Sequence, residues 1–447
     1  MLIKLFFINK INQIKQKLKQ FFFFLLLINI LRWIFKSSYR SNNSLIIVSD
    51  KWYYSGAYFL AKYVYWIFIP LAQLLQRNNI LFSVNNINYA VGHVYPEVDW
   101  ILRMKKIGLI SNEKKIYYVY PKSPVICGFF NIIGKDLHIK FILNSFVHIL
   151  IYPLLIRFPE LTVNASHSSK NHIMFRNHEG KYSPGSEISY DKVFRVRQRK
   201  YADIRSKTDN YYPLKNIHKK LTKELQTLTK NNKYFVIQIK TNSINSSWNP
   251  TKPETYLDAI NKMFLNGYSV VFAGREKMPQ CFSDIGVINY SESIYATAEN
   301  DYLIVLNAHG VMSSASGFSY IADVLDVPLL VLNNWQINTY PNRKTIYIPS
   351  RLKKNGKNFS FKDQMDYSYN HGQLLISNKD MSVESVDASS KDILNAYNEL
   401  QSSINSKIIP ETSPLQEKFK NNLPIEITYV AKSNISNAFI EKNQDGF

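Results

Sequence analysis

Short apolar runs alternate with longer segments of helical periodicity along most of the chain. In the first half, apolar runs at 45–48, 80–84 and 116–120 end at polar or chain-breaking residues, and they predict buried strands. Segments 55–75 and 96–106 carry apolar residues at helical spacing. Strands that alternate with helices predict a parallel sheet with helices on both of its faces.

The same alternation resumes after a polar stretch at 162–212. The predicted strands lie at 234–239, 269–272, 286–289 and 328–332, and the predicted helices at 214–230, 253–265, 299–307 and 318–325. A chain of 447 residues is long enough for two domains of ordinary size. We therefore predict two α/β domains, 44–210 and 211–404, followed by a polar, mobile tail at 405–447.

Residues 1–43 follow a different pattern, in which apolar and basic side chains interleave. The almost unbroken apolar run Phe21–Leu31 is shorter than the roughly 20 residues of a spanning helix. No small-residue cleavage site follows it. We expect an N-terminal apolar and basic helix that lies on a membrane surface, with a true span or a segment buried against the protein as alternatives. For the second apolar stretch, Tyr58–Leu75, the sequence favours a core helix over contact with lipid.

The net charge of +22 fits three kinds of partner: anionic lipid, phosphorylated substrates or nucleic acid. No Asp or Glu precedes Asp50, and further basic residues cluster at 192–207 and 351–357. Aromatic side chains are not interleaved with these clusters on a recognisable nucleic-acid-binding module. The distribution therefore favours an anionic membrane surface and phosphorylated ligands, and we expect no nucleic-acid partner.

The stretch Met312–Ser319 puts small residues between the end of a predicted strand and the start of a helix. Backbone N–H groups and the positive end of the helix make such a junction an anion site. Gly317 allows close approach of a phosphate. The hydroxyls that we assign to donor binding are those of Ser313, Ser314, Ser316 and Ser319. A serine that only caps the helix is the alternative.

Three other segments end strands at the same predicted sheet edge. Gly274 and Arg275 follow one strand, where glycine relieves crowding and arginine can meet a diphosphate. Lys240 ends the first strand of this half and offers a point charge for a phosphate. Asn334 ends another strand and is a candidate for lining the nucleotide pocket. A surface turn with solvated charges is the alternative for the arginine loop, and turn formation for the asparagine.

No metal or organic cofactor is expected. Cys127 and Cys281 lie far apart without metal-ligand spacing, which also favours a reducing compartment without disulfides. His167, His172 and His178 lack a companion carboxylate or cysteine pattern, so solvated loop histidines are the better interpretation. No acidic metal motif of the DxD type stands in a predicted loop.

Several blocks together resemble a family of bacterial glycosyltransferases encoded in surface-polysaccharide gene clusters. The resemblance covers roughly residues 85–400. Its markers are Gly92-His93 with Glu97 and Leu102, Pro253–Gly267, Ser314–Gly317, Pro328–Trp335, and Ile346–Pro349 followed by Phe359–Phe361. The resemblance implies the GT-B architecture, in which two Rossmann-like domains face a cleft, the N-terminal one for the acceptor and the C-terminal one for the donor nucleotide.

The implied reaction moves a sugar from a nucleotide-sugar to a cell-surface glycan or lipid-linked acceptor. Such a transfer needs a general base near the acceptor hydroxyl when it inverts configuration. His93 and Glu97, four residues apart at the start of a predicted helix, are the candidates. A structural N-cap role is the alternative for His93. We expect the protein to be cytoplasmic, at the inner membrane.

The chain departs from this family at two points. Lys240 stands where the family usually carries an arginine, and an arginine expected near Trp248-Asn249 is missing. Two other functions stay open at this stage: a nucleotide-sugar epimerase of the same fold, and a non-catalytic sugar- or nucleotide-binding protein at the membrane.

Overall fold

A computed structural model shows the α/β architecture that the alternating pattern predicts. It describes residues 65–84, 91–120, 123–134, 137, 140–163, 201, 203–217, 220–230, 232–241, 251–314, 316–333, 342–364, 383–406, 413–421 and 433–444. The expected strand at 45–48, the segment 1–43 and most of the polar stretch 162–212 lie outside these residues. Among the described helices, none combines the length and apolarity needed to cross a bilayer.

The N-terminal unit is built around a small parallel sheet. Its elements are a 3₁₀ turn (Tyr65–Phe68), α1 (Ile69–Arg77), β1 (Ile80–Val84), α2 (Val91–Lys106), β2 (Lys115–Tyr120), α3 (Pro124–Phe129), a π-helical turn (Phe130–Gly134), β3 (Lys140–Leu143), α4 (Ser145–Arg157) and a 3₁₀ turn (Pro159–Leu161). The strands pair in parallel in the order β1-β2-β3. The predicted strands at 80–84 and 116–120 are therefore confirmed.

Alternating side chains of these strands enter two separate cores. Phe82 and Val119 pack with Leu155 of α4 and Ala72 of α1 on one face. Tyr118 belongs to the larger core on the opposite face, which α2 and α3 cover. The sheet is thus buried on both sides, as expected for parallel strands joined by helical crossovers.

The C-terminal unit contains a seven-stranded parallel sheet. Its elements are a 3₁₀ turn (Lys215–Ile217), α5 (Lys223–Leu228), β4 (Tyr234–Gln238), a 3₁₀ turn (Pro253–Tyr256), α6 (Leu257–Leu265), β5 (Ser269–Phe272), α7 (Gln280–Asp284), β6 (Ile288–Asn289), α8 (Ala298–Leu306), β7 (Gly310–Ser314), α9 (Gly317–Val324), β8 (Leu329–Leu332), β9 (Thr345–Ile348), β10 (Arg351–Lys354), β11 (Lys357–Asn358), β12 (Val383–Val386), α10 (Ser390–Ser406), α11 (Pro414–Asn421), β13 (Asn434–Ile435) and α12 (Asn437–Lys442). The strand order is β6-β5-β4-β7-β8-β9-β13, and β10–β12 form a small antiparallel sheet.

This strand order starts at β4, runs outward through β5 and β6, and then resumes on the other side of β4 with β7. It is the doubly wound order of a Rossmann-like sheet, with its reversal between β4 and β7. Residues of β4, β5, β7 and β8 are all buried, which explains the apolar runs Tyr234–Ile237, Val270–Phe272 and Leu329–Leu332. The prediction of an α/β fold with two Rossmann-like units is confirmed.

Three local predictions differ from the structure. Helix α2 begins at Val91 rather than at Pro96, because Gly92 packs against α9 and holds the first turn. The helix predicted at 214–230 is reduced to a 3₁₀ turn and the short α5, which Thr222 caps by accepting from the Leu225 N–H. The strand predicted at 286–289 starts only at Ile288, since Gly286 lies in a left-handed turn with φ +86°.

The prediction of a polar, mobile tail at 405–447 needs a larger correction, because described parts of this segment are folded onto the C-terminal unit. Strand β13 pairs in parallel with β9 and completes the large sheet, and Phe439 and Ile440 of α12 are buried. The Glu399 carboxylate accepts from the Asn437 and Ala438 N–H groups at 2.9 and 3.1 Å and so caps α12. A two-residue strand and a six-residue helix are too short to produce a periodic pattern, so the sequence does not reveal them.

Helix α2 of the N-terminal unit packs along α9 of the C-terminal unit. A Cβ atom at Gly92 would lie 2.8 Å from Gly317 Cα, so the two helix starts approach as closely as glycines permit. Tyr95 of α2 stacks on Tyr302 of α8 with ring centroids 5.9 Å apart. One core cluster therefore runs through both units.

A buried charge network holds the same interface farther along the two helices. The Asp99 carboxylate accepts from Arg103 Nε at 2.7 Å and from the Tyr201 hydroxyl at 2.8 Å. The Arg205 guanidinium pairs with the Asp323 carboxylate and also donates to the Asp323 carbonyl at 2.9 Å. Arg103, Arg205 and both aspartates are buried, so each charge depends on its partner.

Candidate functional site

The most informative part of the molecule is the carboxyl edge of the large sheet, where the strand order reverses between β4 and β7. Chains leaving β4 and β7 diverge there, and the gap between them is the usual ligand site of an open α/β sheet. Three segments meet at this edge: 239–241 after β4, 273–277 after β5, and the junction between Ser314 of β7 and Ser316 at the start of α9.

The loop after β7 is organised around the side chain of Gln238, the last residue of β4. Gln238 Oε1 accepts from Ser313 Oγ at 2.9 Å and from Ser316 Oγ at 2.6 Å. Ser316 is the N-cap of α9, and its own N–H donates to Ser319 Oγ at 3.2 Å in a capping box. The predicted serines are thus brought together at the amino-terminal end of α9. The hydroxyls of Ser313 and Ser316 donate to Gln238, and that of Ser319 accepts from the Ser316 N–H.

Lys240 lies beside this loop, at the end of β4. Its backbone N–H donates to Ser314 Oγ at 3.3 Å. Burial lowers the pKa of the Lys240 ammonium, and the nearby Glu276 carboxylate acts in the opposite direction. Glu276 in turn accepts from Thr241 Oγ1 at 2.7 Å, which ties the loop after β5 to the loop after β4. A largely desolvated ammonium is stabilised by a bound anion.

The loop after β5 needs glycine at position 274. Gly274 has φ +114°, and a Cβ atom there would lie 3.0 Å from Cγ of Gln238. Arg275 follows it, is exposed, and lies close enough to Asp301 to lower the pKa of that carboxyl. The structure therefore puts Lys240, Gly274 and Arg275 at the same edge as Ser313–Ser319, as their strand-end positions predict.

A group of polar side chains that the sequence interpretation missed extends this edge toward β8 and β9. Tyr256 is fully buried, and burial raises the pKa of its hydroxyl, near which Ser314, Thr251 and Asn333 lie. Among the described residues, neither the Tyr256 hydroxyl nor Asn333 Nδ2 has a hydrogen-bond partner. Burial also raises the pKa of Asp387 to about 6. Buried donors whose hydrogen bonds are not all formed suit a ligand rich in acceptors.

Asp301, on the first turn of α8, is a second group that sequence reasoning missed. Burial raises the pKa of its carboxyl to about 6, against the opposing effects of the Tyr290 hydroxyl, which donates at 2.9 Å, and of Arg275. It lies near Tyr95, at the contact between the two units. A carboxyl that titrates near neutral pH can serve as a proton acceptor. In the sequence Asp301 is one of two acidic residues in the first turn of a helix, and its burial in the structure distinguishes it from an ordinary surface carboxylate.

The predicted base candidates lie on α2. His93 is in the first turn of this helix, and its side chain lies outside the described part of the chain. Glu97 is one turn further on and 3% exposed, and its charge contributes, after burial and Tyr120, to raising the pKa of Tyr118. The roles of His93 and Glu97 stay predictions. Asn334 and the Trp248-Asn249 segment lie outside the described residues.

In the ranges given above, no three His, Cys, Asp or Glu side chains are grouped so that they could hold an ion. The expectation of a metal-independent donor site stays a prediction.

Several solved structures are similar to this chain, whereas no protein-family model and no curated protein sequence matches it. The iron-containing dodecameric glycosyltransferase TibC of enterotoxigenic E. coli H10407 is 11% identical, with a TM-score of 0.40 over 73% of this chain and 76% of that one. The family 9 glycosyl transferase of Veillonella parvula DSM 2008 is 10% identical, with a TM-score of 0.39 over 72% and 96%. The ADP-heptose LPS heptosyltransferase II of E. coli is 10% identical, with a TM-score of 0.38 over 73% and 99%. At these identities, residue roles do not transfer to this chain.

Proposed function

We propose that this protein is a glycosyltransferase that takes a sugar from a nucleotide-sugar and transfers it to a cell-surface glycan or lipid-linked acceptor. The observation that carries the proposal is the convergence of Lys240, Gly274-Arg275 and the start of α9 at the reversal point of the large sheet. Basic side chains and a helix start suit a diphosphate, and the unpaired donors of Tyr256 and Asn333 suit a ribose or base.

The same groups supply the chemistry that sugar transfer requires of the donor side. As the bond between sugar and phosphate breaks, negative charge grows on the departing nucleoside diphosphate. Lys240, Arg275 and the positive end of the α9 dipole stabilise that charge, and the fold sets their positions at one sheet edge before the reaction begins. Glu276 keeps the two basic loops together through Thr241.

The acceptor side is proposed to be the first turn of α2. The contact of Gly92 with Gly317 supports this, since it brings the first turn of α2 next to the start of α9. A base there is near both the acceptor hydroxyl and the sugar carbon that it attacks. His93 and Glu97 are the candidates on α2, and Asp301, with its pKa of about 6, is a third on the donor side.

The proposed setting is the cytoplasmic face of the inner membrane. The basic, apolar pattern of residues 1–43 supports attachment to an anionic surface. Attachment would keep the enzyme near a lipid-linked or growing surface glycan, which is the acceptor class that we propose. No metal takes part in the proposed donor site.

The proposal is tested by incubating the purified chain with a panel of nucleotide-sugars, with and without an acceptor fraction from membranes. A glycosyltransferase releases nucleotide in proportion to labelled sugar that appears in the acceptor. Conversion of the sugar without acceptor, and without net release of nucleotide, would instead identify an epimerase. Binding of nucleotide without either product would identify a non-catalytic protein.

A further inference from the structure

One side of α1 is apolar and faces away from the protein. Ala72, only 1% exposed, is the residue of this helix that enters the core. Ile67, Leu71 and Leu74 are 53%, 44% and 57% exposed, and Trp66 before them is 63% exposed. Leu71 and Leu74, three residues apart, lie on one face of α1, and Ile67 precedes them in the 3₁₀ turn. The sequence favours a core helix here, but periodicity does not tell which face meets the protein.

Helix α4, next to the 3₁₀ turn, carries a further exposed leucine. It packs against the 3₁₀ turn that precedes α1, and its Ile151, Leu154 and Leu155 are in the core. Leu150 points away from that core and is 49% exposed. We use the name α1 face for Trp66, Ile67, Leu71 and Leu74, the exposed large apolar residues of α1 and of the 3₁₀ turn before it. Clusters of exposed large apolar side chains mark interaction surfaces, whereas single ones need no explanation.

The charge around the α1 face is net positive: exposed Arg77 and Arg157 end α1 and α4, and one exposed carboxylate, Glu160, accepts from Gln76 Nε2 of α1 at 2.9 Å. Arg77 ends α1 three residues after Leu74 and is exposed, so its guanidinium can reach headgroups while its stem covers apolar surface. Before Glu97 the sequence contains eleven lysines and arginines and a single acidic residue, Asp50. Opposite charge on the partner is therefore favoured, as on the surface of a bilayer that contains acidic lipids.

The chain that precedes the α1 face supports the same partner. Residues 1–64 end directly at the 3₁₀ turn that carries Trp66. The sequence of 1–43 predicts a segment that lies on a membrane surface. A second copy of the chain fits less well, because two such faces in contact would bring their basic surroundings together.

We propose that the α1 face docks onto an anionic bilayer as a second membrane contact, distinct from residues 1–43. Trp66, Ile67, Leu71 and Leu74 enter the boundary between headgroups and acyl chains, and Arg77 remains at the level of the phosphates. Two contacts fix the orientation of the N-terminal unit as well as its distance from the bilayer. Docking itself is independent of the proposed function and needs neither nucleotide nor acceptor.

The experiment compares full-length variants in flotation with vesicles of phosphatidylcholine and phosphatidylglycerol (3:1). The face variant carries Leu71→Glu and Leu74→Glu. The matched control carries Leu265→Glu and Ile294→Glu, which are 81% and 88% exposed on the C-terminal unit. The face variant is expected to lose at least about tenfold in partition coefficient, because two apolar contacts are lost and two charges repel the lipid. The control is expected to change by less than about twofold.

All four positions are exposed, so we expect both variants to fold like the parent chain, and urea unfolding is the check. If the face variant binds vesicles as well as the parent does, residues 1–43 account for all binding and the proposal is wrong. An equal loss in both variants would also overturn it, since net charge alone would then explain the loss. If the parent sediments as a dimer and only the face variant as a monomer, with equal vesicle binding, the α1 face joins two copies instead.

Discussion

Replacing Arg205 by methionine tests whether the buried charge network joins the two units. Arg205 pairs with Asp323, and the two side chains are only 4% and 1% exposed. Methionine retains much of the apolar stem but leaves the Asp323 carboxylate buried without its cation. Removing one partner of a buried pair costs about 3–5 kcal/mol, whereas the pair itself can be replaced by apolar residues at little cost. We expect Arg205→Met to lower the free energy of unfolding by about 3 kcal/mol or more.

Two further variants separate this effect from the loss of any charge in the segment. Lys207 forms an ion pair with Asp203 at 2.9 Å, but the two side chains are 58% and 50% exposed. Lys207→Met is therefore expected to cost less than about 1 kcal/mol. Adding Asp323→Leu to Arg205→Met should recover most of the loss, because the one carboxylate left buried in this network, Asp99, keeps its own partner Arg103.

The pH dependence gives an independent check. Burial raises the pKa of the Asp323 carboxyl, and the Arg205 guanidinium opposes that shift, so Arg205→Met raises the pKa further. A carboxyl whose pKa is higher in the folded than in the unfolded protein favours folding at low pH, where it is neutral. The unfolded pKa is common to both proteins, so the deficit of the variant relative to the parent should grow as pH rises from the folded pKa of Asp323 in the parent to its higher folded pKa in the variant.

The assay is urea unfolding of the parent, the two single variants and the double variant at pH 5 and pH 8. The reasoning fails if Arg205→Met is as mild as Lys207→Met. It also fails if the deficit of Arg205→Met is larger at pH 5 than at pH 8.

Two other substitutions test the contact between the two units and the buried carboxyl of Asp301. Gly92→Ala should cost about 1–3 kcal/mol and weaken nucleotide binding, because its Cβ meets Gly317 Cα at 2.8 Å. Gly108→Ala, with no atom within 4 Å but φ +75°, should cost about 1 kcal/mol of backbone strain and leave nucleotide binding unchanged. Asp301→Asn should raise the free energy of unfolding at pH 8 by up to about 3 kcal/mol and change it little at pH 4, since the carboxyl has a pKa of about 6 when folded and about 4 when unfolded. Urea unfolding at pH 4 and pH 8 checks the stabilities, and the thermal shift by nucleotide checks binding. An Asp301→Asn variant that is destabilised at pH 8 would contradict the raised pKa of Asp301.

The strands and their parallel arrangement could be predicted because a buried strand has a recognisable local sequence pattern. Ser269–Phe272 is observed with the predicted bounds, since strands covered on both faces read as short uninterrupted apolar runs. The positions of Lys240 and Gly274 at one sheet edge also follow from sequence, because the carboxyl ends of parallel strands share an edge.

Features that depend on distant residues could not be predicted. Ser313 and Ser316 bond to Gln238, which is more than 70 residues earlier in the chain. The raised pKa of Asp301 depends on burial, which has no local signal. The spacing of Leu71 and Leu74 is the same as that of apolar residues on a helix in the core. The burial of Ala72 shows which face of α1 is covered.

The central claim is that the reversal point of the large sheet binds the diphosphate of a nucleotide. The most direct test is the shift of the thermal midpoint by UDP, GDP, ADP, CMP and dTDP for the parent chain and for Lys240→Met, Arg275→Ala and Lys277→Ala. A ligand at about 100 times its dissociation constant adds roughly 2.7 kcal/mol to stability. The account predicts that at least one nucleotide raises the midpoint, that Lys240→Met and Arg275→Ala lose most of the shift, and that Lys277→Ala, an exposed control in the same loop, keeps it. No shift with any nucleotide at millimolar concentration, or an equal shift in all four proteins, would contradict it.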